Sequence, residues 1–385
     1  MKKLGLLVSL LTFSSFAYSA TLSIHIYSDK TFSDIIIAPL TGTYTLECDG
    51  KRMDSCSTTS IYEITVVDDS LLQVKSLDHI IGKYNHLRFR GYGTKNQFFS
   101  KPSTESVKRL YDDDLTLTAE HGNLKLINIV DLEHYVAGVV YCEAGPKKPA
   151  EFYKVQAIIC RTYALNDIAR HISDGFELCD MVHCQVYQGV THNTDILQAV
   201  ESTKGMVLVD DNNQLITAAF HANCGGQTLN SEDVWNSALY YLRGKQDTFC
   251  THQPAATWEK KIPATDWKNY LDKKEKYLHT DNLHSQGYWD SIPDSKRVFL
   301  YDKGYLIPLK DIRTDWNLHS TYFTITDNGD SFTLSGRGYG HRIGLCQEGA
   351  IHMSQLGYNY QQILHFYYLD VQLIDYTLLP FSGFN

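Results

Sequence analysis

The sequence has no excess of basic residues. Its 35 lysines and arginines are outnumbered by 44 aspartates and glutamates, so the 385-residue chain has a formal net charge of −9 at pH 7. General nucleic-acid binding depends on basic side chains that neutralise phosphates. The charge balance therefore argues against a nucleic-acid-binding protein.

The sequence also lacks a nucleotide-binding fingerprint. The glycine run from Gly336 to Gly344 has His341 where a third dinucleotide-fingerprint glycine would be needed, and no Gly-Lys-Ser/Thr follows. We interpret the run as a strand that turns into a helix, with His341 and Gln347 facing a cleft. In the alternative interpretation, His341 only braces the turn through a backbone hydrogen bond.

Beyond residue 20 the sequence contains no long apolar run. Residues 1–20 have the pattern of a secretory signal, with two lysines, the apolar stretch from Leu4 to Phe16, and small residues up to Ala20 for cleavage. The stretch is short for a membrane span, which makes a retained anchor the weaker alternative. We therefore expect an exported, soluble protein in the periplasm or the cell-wall space.

The apolar and charged fractions, 43% and 21%, are ordinary for a globular protein. The N-terminal part is strand-like, whereas helical periodicity begins near residue 131. This pattern predicts an α+β fold, with a β-rich region at 21–100 and a mixed α/β core with a substrate cleft at 101–385, interrupted by an insertion around 251–331. The predicted strands are Leu22–Tyr27, Asp34–Leu40, Thr43–Glu47, Ile61–Val67, Leu71–Val74 and Leu87–Tyr92.

Nine cysteines are compatible with an oxidising compartment, and their odd number leaves at least one without an intramolecular partner. Cys48 and Cys56 flank a polar loop between strand-like runs and form the first candidate disulfide. Cys224 and Cys250 form a second candidate. Cys142 lies in the core helices, where a cysteine more often packs as a small apolar residue.

The stretch from Asp131 to Leu165 predicts a short helix, a break and a long helix. Asp131 is a candidate N-cap, and apolar residues follow it at helical spacing. Gly145 and Pro146 predict the end of the first helix, and Pro149 suits the first turn of the second. The break therefore separates two helices whose apolar stripes predict burial.

Glu143 lies at this break and is the candidate general acid. Its neighbours are Cys142 and Ala144, and the first basic residue after it in the sequence is Lys147. A carboxyl group among apolar neighbours without a cation has a raised pKa, which a general acid requires. The alternative is an ordinary helix-end carboxylate in solvent.

A short segment after the second helix has the composition of a metal site. His171, Cys179 and Cys184 resemble three ligands of a zinc centre, with solvent or substrate as the fourth, and His183 is an alternative ligand. The competing interpretation is a Cys179–Cys184 disulfide that closes a small loop. Zinc is the only cofactor that the sequence suggests.

Four motifs in order give the chain a resemblance to a known family. It resembles the stage II sporulation protein D family (the SpoIID/LytB domain) from roughly Asp131 to Leu373. The chain departs from the family pattern at Arg342, Cys346 and Glu348. The motifs are Val155–Ala164 (VQAIICRTYA), Cys184–Gly189 (CQVYQG), Phe220–Gly226 (FHANCGG) leading into Ser231–Trp235 (SEDVW), and Gly336–Ala350 (GRGYGHRIGLCQEGA).

The resemblance implies a lytic transglycosylase that cleaves the β-1,4 bond between N-acetylmuramic acid and N-acetylglucosamine. The implied substrate is a peptidoglycan glycan strand already stripped of peptides, and the implied product carries a 1,6-anhydro end. Glu143 matches the family's catalytic glutamate, and the family can carry a zinc site of the His, Cys, Cys kind near residues 171–184. Candidates for positioning substrate or bracing the site are Gln156, Arg161, Tyr163, Tyr187, Asn223, His341 and Gln347.

Two other function classes stay open on the sequence. One is a non-catalytic wall-binding protein that stimulates an N-acetylmuramoyl-L-alanine amidase, as the LytB name suggests. The other is a thiol enzyme that uses Cys142 or Cys160 with His221 or His341.

Overall fold

The computed structural model describes residues 20–77, 79–235, 237–274, 293–302 and 305–379. The predicted signal peptide, apart from Ala20, lies outside the described residues. Among the helices of the described ranges, none is both long and apolar enough to cross a membrane. The α+β class and the β-rich N-terminal region are confirmed.

Ten strands precede the first helix, and all six predicted strands are among them. The predicted strands at 34–40 and 43–47 are one continuous strand, which bends where Gly42 adopts a positive φ of 77°. The ten strands are β1 (Thr21–Ile26), β2 (Asp34–Cys48), β3 (Lys51–Cys56), β4 (Tyr62–Asp68), β5 (Leu71–Ser76), β6 (His79–Tyr84), β7 (His86–Pro102), β8 (Arg109–Asp112), β9 (Asp114–Glu120) and β10 (Asn123–Asp131).

These strands and β11 (Leu178–Cys179) form an 11-stranded sheet in the order β11-β1-β10-β9-β7-β2-β4-β5-β6, with β3 paired to β2 and β8 to β7. Inward-facing residues alternate with partly exposed ones along β9 and β1, as expected when one face of the sheet covers the core. At the sheet edge, β11 runs parallel to β1 and pairs His25 with Cys179.

The register of β2 and β3 excludes the expected Cys48–Cys56 disulfide. Cys56 pairs with Tyr44, whereas Cys48 pairs with Lys51. The two cysteines are thus four residues apart along the strand, or about 13 Å, beyond the reach of a disulfide. All nine cysteines of the chain are free thiols in the structure.

The predicted helix-break-helix segment is present as α1 (Leu132–Ala144) and α2 (Ala150–Asn166). The Asp131 carboxylate accepts hydrogen bonds from the backbone N–H groups of Glu133 and His134, so it is the N-cap. The first helix ends at Gly145, whose φ of 68° suits a residue without a Cβ. Most of the 17 residues of α2 are buried, which makes it the central helix of the core.

Downstream of α2 lie α3 (Thr194–Ser202), β12 (Met206–Val209), β13 (Phe220–His221) and the short α4 (Ser231–Val234). The sequence suggests a hairpin between Met206–Val209 and Ile216–Phe220. The turn forms, with a bridge between Val209 and Leu215 and a hydrogen bond from the Ile216 N–H to the Leu208 carbonyl, but the predicted pairing is wrong beyond Ile216. Instead, β12 pairs antiparallel with β20 (Gln372–Asp375), and β13 pairs parallel with β19 (Leu345–Cys346).

Between residues 257 and 337 a second apolar cluster surrounds Trp267, which is 2% exposed. The cluster is built on β14 (Thr257–Pro263), α5 (Ala264–Lys274), β15 (Phe299–Asp302), β16 (Tyr305–Pro308), α6 (Leu309–Asp315), β17 (Phe323–Asp327) and β18 (Ser331–Arg337). The chain then returns to the main core through β19, α7 (Gln347–Gln355) and α8 (Tyr360–Tyr367).

Candidate active-site cleft

All four sequence motifs meet at one open cleft of about 510 Å³. The first helix contributes Glu143, the end of the second contributes Tyr163 and the residues after it, and the remaining motifs contribute Cys184, Trp235 and His341. The cleft is lined by Glu143, Tyr163, Asn166, Asp167, Arg170, Val182, Cys184, Thr217, Ala218, Ala219, Phe220, Trp235 and His341.

Glu143 is a half-buried carboxyl group in the last turn of α1. Its Oε1 accepts a hydrogen bond from the backbone N–H of Val186, at 3.2 Å, which fixes the carboxyl group against the second motif. Burial raises the pKa of Glu143 above its ordinary value, and the Val186 hydrogen bond only partly opposes this effect. The C-terminal end of a helix carries partial negative charge and also disfavours a carboxylate. Glu143 therefore has the electrostatic setting of a proton donor.

The raised pKa predicts that Glu143→Gln makes the protein more stable at neutral pH. A carboxyl group whose pKa is higher in the folded state binds more protons there, so its penalty develops as pH rises through the folded-state pKa. Glutamine carries no charge to desolvate. We expect a higher melting temperature than wild type at pH 7 and a smaller difference below about pH 4, near the ordinary glutamate pKa.

Glu232→Gln is the matched control in this measurement. The Glu232 carboxylate is exposed and paired with Arg243 at 2.5 Å, and this hydrogen bond lowers its pKa. Its substitution should leave the melting temperature unchanged or slightly lower. A lower melting temperature for Glu143→Gln than for wild type at pH 7 would contradict the prediction.

Aromatic rings form one wall of the cleft. The rings of Trp235 and His341 lie 5.7 Å apart, and His341 also contacts the ring of His221 at 5.3 Å. The Nδ1 atom of His341 accepts a hydrogen bond from the N–H of Ile343 at 3.1 Å. Burial lowers the pKa of His341 to about 4, so the ring is neutral at physiological pH. The wall thus offers a flat, uncharged surface of the kind that packs on sugar rings.

Tyr163, a predicted site residue, lines the same cleft as Glu143. Its hydroxyl donates to the backbone carbonyl of His183 at 3.4 Å. Burial raises the pKa of Tyr163 to about 12, so the hydroxyl keeps its proton at neutral pH. Its single proton is engaged by the His183 carbonyl, so the hydroxyl oxygen is what remains to accept a hydrogen bond at the cleft surface.

Gln156 and Gln347 are brought together, but behind the cleft lining. Nε2 of Gln347 donates to Oε1 of Gln156 at 3.2 Å, and Nε2 of Gln156 donates to the sulfur of Cys160 at 3.3 Å. Gln156 is fully buried. The pair joins α2 to the start of α7 and so positions the helices that carry the cleft residues.

Arg161 is not part of the cleft lining. Its side chain is fully buried, and its guanidinium makes two hydrogen bonds to the Glu133 carboxylate, at 2.9 and 2.5 Å. A third bond reaches the carbonyl of Met206. A paired, buried guanidinium holds helices together, and the structure places Arg161 between α1, α2 and β12.

Tyr187 and Asn223 are also buried away from the cleft surface. The Tyr187 hydroxyl donates to Oδ1 of Asn128 at 3.2 Å. The Asn223 amide donates to Oε2 of Glu348 at 2.6 Å and accepts from the N–H of Gly225 at 2.7 Å. Both side chains are engaged within the protein, so they brace the loops around the cleft.

The structure adds cleft residues that the sequence did not single out. Trp235 ends the Ser231–Trp235 motif, but the sequence does not show which way its side chain points. Asp167 and Arg170 follow the first motif, without a pattern of their own, and form an ion pair with each other. The Arg170 charge is therefore neutralised where it faces the cleft.

Beside the cleft, His171, Cys179, His183 and Cys184 form a cluster. Each offers one ligand atom, and the four atoms lie within 4.8 Å of one another. The sequence predicted three ligands with an open fourth position, whereas the structure brings His183 in as a fourth donor. Two sulfurs and two imidazoles form a donor set that suits tetrahedral zinc.

The hydrogen bonding of the two His171 ring nitrogens is compatible with a bound metal ion. Its Nδ1 interacts with the Asp174 carboxylate at 3.1 Å, while its buried Nε2 has no hydrogen-bond partner in the described part of the chain. A carboxylate on one imidazole nitrogen and a metal on the other is the usual arrangement around zinc. The unpartnered Nε2 of His171 therefore fits the position of a metal ligand.

The thiol-enzyme interpretation gains no support from the geometry. Burial raises the pKa of both Cys142 and Cys160, whereas a nucleophilic cysteine needs a lowered pKa. Cys160 is fully buried, and so is His221, whose Nδ1 interacts with the carbonyl of Ile343. Cys160 and His221 thus lie in the protein interior, whereas Cys142 is half-buried.

Comparisons with known proteins place this cleft in context. A sequence model described as stage II sporulation protein matches residues 120–209. The chain is 30% identical to an uncharacterized protein of Brachyspira hyodysenteriae, over 69% of this chain and 73% of that protein. It is 27% identical to the stage II sporulation protein D of Bacillus subtilis, over 73% and 85% of the two chains. It is 29% identical to the amidase enhancer of Bacillus subtilis, over 62% of this chain and 40% of that protein.

Proposed function

This chain belongs to the stage II sporulation protein D family, a family linked to cell-wall lysis, and from that premise we propose that it is a peptidoglycan lytic transglycosylase. The observation that carries the proposal is Glu143. It is a single half-buried carboxyl group with a raised pKa, held by the Val186 N–H in a cleft with aromatic walls.

In the proposed reaction Glu143 acts first as an acid and then as a base. Its carboxyl proton passes to the glycosidic oxygen as the bond from C1 of N-acetylmuramic acid to that oxygen breaks. The C6 hydroxyl of the same sugar then bonds to C1, and its proton returns to the Glu143 carboxylate. The products are a free hydroxyl on N-acetylglucosamine and a 1,6-anhydro end, without consumption of water.

The charge pattern of the cleft supports a mechanism with one carboxyl group. Ordinary glycosidases need a second carboxylate across the bond, as nucleophile or as base. The other acidic residue of the lining is Asp167, and its carboxylate is ion-paired with Arg170. The four motifs contain three further acids, and none of them lines the cleft. Glu232 is exposed and bound to Arg243, Asp233 caps its own helix through the Asn230 N–H, and Glu348 accepts a hydrogen bond from the Asn223 amide. These acids are therefore weaker candidates for the proton donor than Glu143.

Zinc bound by His171, Cys179, His183 and Cys184 belongs to the same proposal. A closed set of four protein ligands serves structure rather than chemistry. The metal would fix the loop that ends at Cys184, two residues before the N–H that binds Glu143. The role of these residues is thus to hold the proton donor in position.

Mass spectrometry of products tests the proposal directly. Purified protein should convert peptide-free glycan strands into fragments with 1,6-anhydro-N-acetylmuramic acid ends. Fragments that carry reducing N-acetylmuramic acid ends would identify a hydrolase and contradict the proposed reaction. The proposal also places the protein in the periplasm or the cell-wall space, which depends on the predicted signal peptide.

The substrate should be selected by the absence of stem peptides. Arg170 is the cation that lines the cleft, and Asp167 already neutralises it, so the lining offers no free positive charge to a peptide carboxylate. We expect strands pretreated with an amidase to be cleaved at least tenfold faster than intact peptidoglycan. Equal rates on the two substrates, with the same products, would contradict this expectation.

A second candidate function is a wall-binding protein that stimulates an amidase. Its support is the similarity to a protein named amidase enhancer. In that case the protein would bind glycan strands and accelerate an added N-acetylmuramoyl-L-alanine amidase, with no anhydro product of its own. An assay with and without amidase separates the two functions.

A further inference from the structure

A second cluster of ligand-type side chains lies in the core, separate from the cleft lining. Cys224, Asp247, Cys250 and Cys346 each offer one ligand atom, and these four atoms lie within 4.8 Å of one another. All four residues are 0% exposed. They come from the loop after β13, the turn at residues 247–250, and the N-cap of α7.

The carboxylate in this cluster is in an unusual environment. Oδ2 of Asp247 accepts hydrogen bonds from the Tyr367 hydroxyl at 2.9 Å and from the Cys224 thiol at 3.3 Å. Oδ1 accepts from the N–H of Phe249 at 2.9 Å. Each of these donors is neutral. A fully buried carboxylate among sulfur atoms is costly unless a cation balances its charge.

The sulfur of Cys346 is also surrounded as a thiolate ligand would be. It accepts from the N–H of Cys224 at 3.3 Å and from the N–H of Gly349 at 3.4 Å, at the positive end of α7. Gly349 has no room for a side chain, since a Cβ there would lie 2.2 Å from the Tyr367 hydroxyl and 2.6 Å from Oδ2 of Asp247. The cluster is therefore tightly enclosed, with an outer layer of donors of the kind found around metal ligands.

We propose that Cys224, Asp247, Cys250 and Cys346 bind a zinc ion as a structural site. A tetrahedral zinc with bonds of about 2.3 Å to sulfur separates its ligands by about 3.8 Å. The Cys224 sulfur lies 3.3 Å from the Cys250 sulfur and 3.3 Å from Oδ2 of Asp247. Small side-chain shifts reach that geometry. Four protein ligands leave no open position, and this distinguishes a structural site from a catalytic one.

The metal accounts for more of the cluster than a disulfide does. A Cys224–Cys250 disulfide, which the sequence suggests, would leave the Cys346 thiol and the Asp247 carboxylate buried without a charge partner. Zinc engages all four residues and balances the carboxylate. It also ties the loop that follows Phe220 to the start of α7, close to the His341 wall of the cleft. The inference does not depend on the proposed reaction.

Zinc content of the purified full chain tests this site. Wild-type protein and the Cys346→Ser variant are prepared under reducing conditions without chelator. The variant should contain one zinc ion per chain less than wild type, as measured by plasma mass spectrometry. Serine keeps the size of the side chain and removes the thiolate. The matched control is Cys48→Ser, because Cys48 is a buried cysteine outside both clusters; it should retain the wild-type zinc content.

The Cys184→Ser variant removes the zinc signal of the His171 cluster, so that the second cluster can be measured by itself. In Cys184→Ser protein the remaining metal should be zinc with three sulfur ligands and one oxygen ligand by X-ray absorption, since the His171 cluster would instead supply two nitrogens. If Cys346→Ser fails to fold, Asp247→Asn provides the test, because a weaker ligand should release zinc to a chelator at least tenfold faster. Wild-type zinc content and release in both variants, or a Cys224–Cys250 disulfide on peptide mapping of the protein, would overturn the proposal.

Discussion

Replacing Glu143 by glutamine is expected to lower the rate of 1,6-anhydro product formation by about 10²- to 10⁴-fold, the usual contribution of a general acid. Glutamine keeps the size of the side chain and can still face the Val186 N–H through its carbonyl oxygen. It cannot donate a proton to the leaving oxygen at the same position. The measurement is the initial rate of anhydro-end formation on amidase-treated strands.

The raised pKa of Glu143 gives this prediction a pH dependence with a defined sign. A general acid works only while it is protonated, so the rate should fall as pH rises through the Glu143 pKa. Because burial raises that pKa, the fall should occur at a higher pH than for an ordinary glutamate. A pH–rate profile of the wild-type protein should therefore report the same group as the substitution.

Glu232→Gln is the control for the assignment of the acid. Its carboxylate is exposed and paired with Arg243, so its loss should change the rate less than threefold. Circular dichroism and the melting temperature of Glu143→Gln test whether the variant is folded. A folded variant with the expected higher melting temperature excludes unfolding as the reason for lost activity. If Glu232→Gln abolishes anhydro products while Glu143→Gln retains them, the donor has been wrongly assigned.

Loss of the zinc ion that we propose at His171, Cys179, His183 and Cys184 is expected to have the second large effect. Structural zinc sites contribute apparent binding free energies of about 10–16 kcal/mol in isolated zinc-finger peptides; a loop within a larger core should depend on the metal less. Cys184→Ser should release zinc and lower the rate by about tenfold or more. The reason is that the metal would fix Cys184, and the backbone N–H that binds Glu143 belongs to Val186, two residues further on.

Cys142→Ser is the matched control for this loss. Cys142 is half-buried beside Glu143, but it belongs to neither ligand cluster. It should retain both its zinc and most of its activity, whereas a thiol enzyme would lose its activity. Zinc content of Cys184→Ser equal to wild type, or a Cys179–Cys184 disulfide on peptide mapping, would refute the metal assignment.

The sequence predicted the local features of this protein correctly. Alternating apolar residues predicted the N-terminal strands, and Asp131 and Gly145 predicted the ends of α1. These signals are local because the pleat of a strand, the cap of a helix and a residue with positive φ each depend on a few neighbouring residues. The raised pKa of Glu143 could also be anticipated, since apolar neighbours and the absence of a nearby cation are both visible in the sequence.

The predictions that were wrong concern pairs of segments. The expected pairing of Met206–Val209 with Ile216–Phe220 gives way to pairing with β20, more than 160 residues away along the chain. The Cys48–Cys56 disulfide is excluded by the register of β2 and β3, which the sequence of the polar loop does not reveal. In the first case the regular partner strand is distant in the sequence, and in the second the register of two neighbouring strands separates two nearby cysteines.

Only the tertiary structure decided which motif residues reach the cleft. Arg161, Tyr187 and Asn223 stand in the same motifs as the cleft residues Tyr163, Cys184 and Trp235, respectively. The first three are nevertheless buried and hydrogen-bonded within the protein. A second example is the cluster of Cys224, Asp247, Cys250 and Cys346, which are spread over more than 120 residues. Cys224 and Cys346 meet because β13 pairs with β19, and the bridge between Gln227 and Gln246 brings the 247–250 turn to them. A side chain's direction and its distant neighbours depend on how whole elements pack, and packing is a property of the folded chain that short-range patterns do not contain.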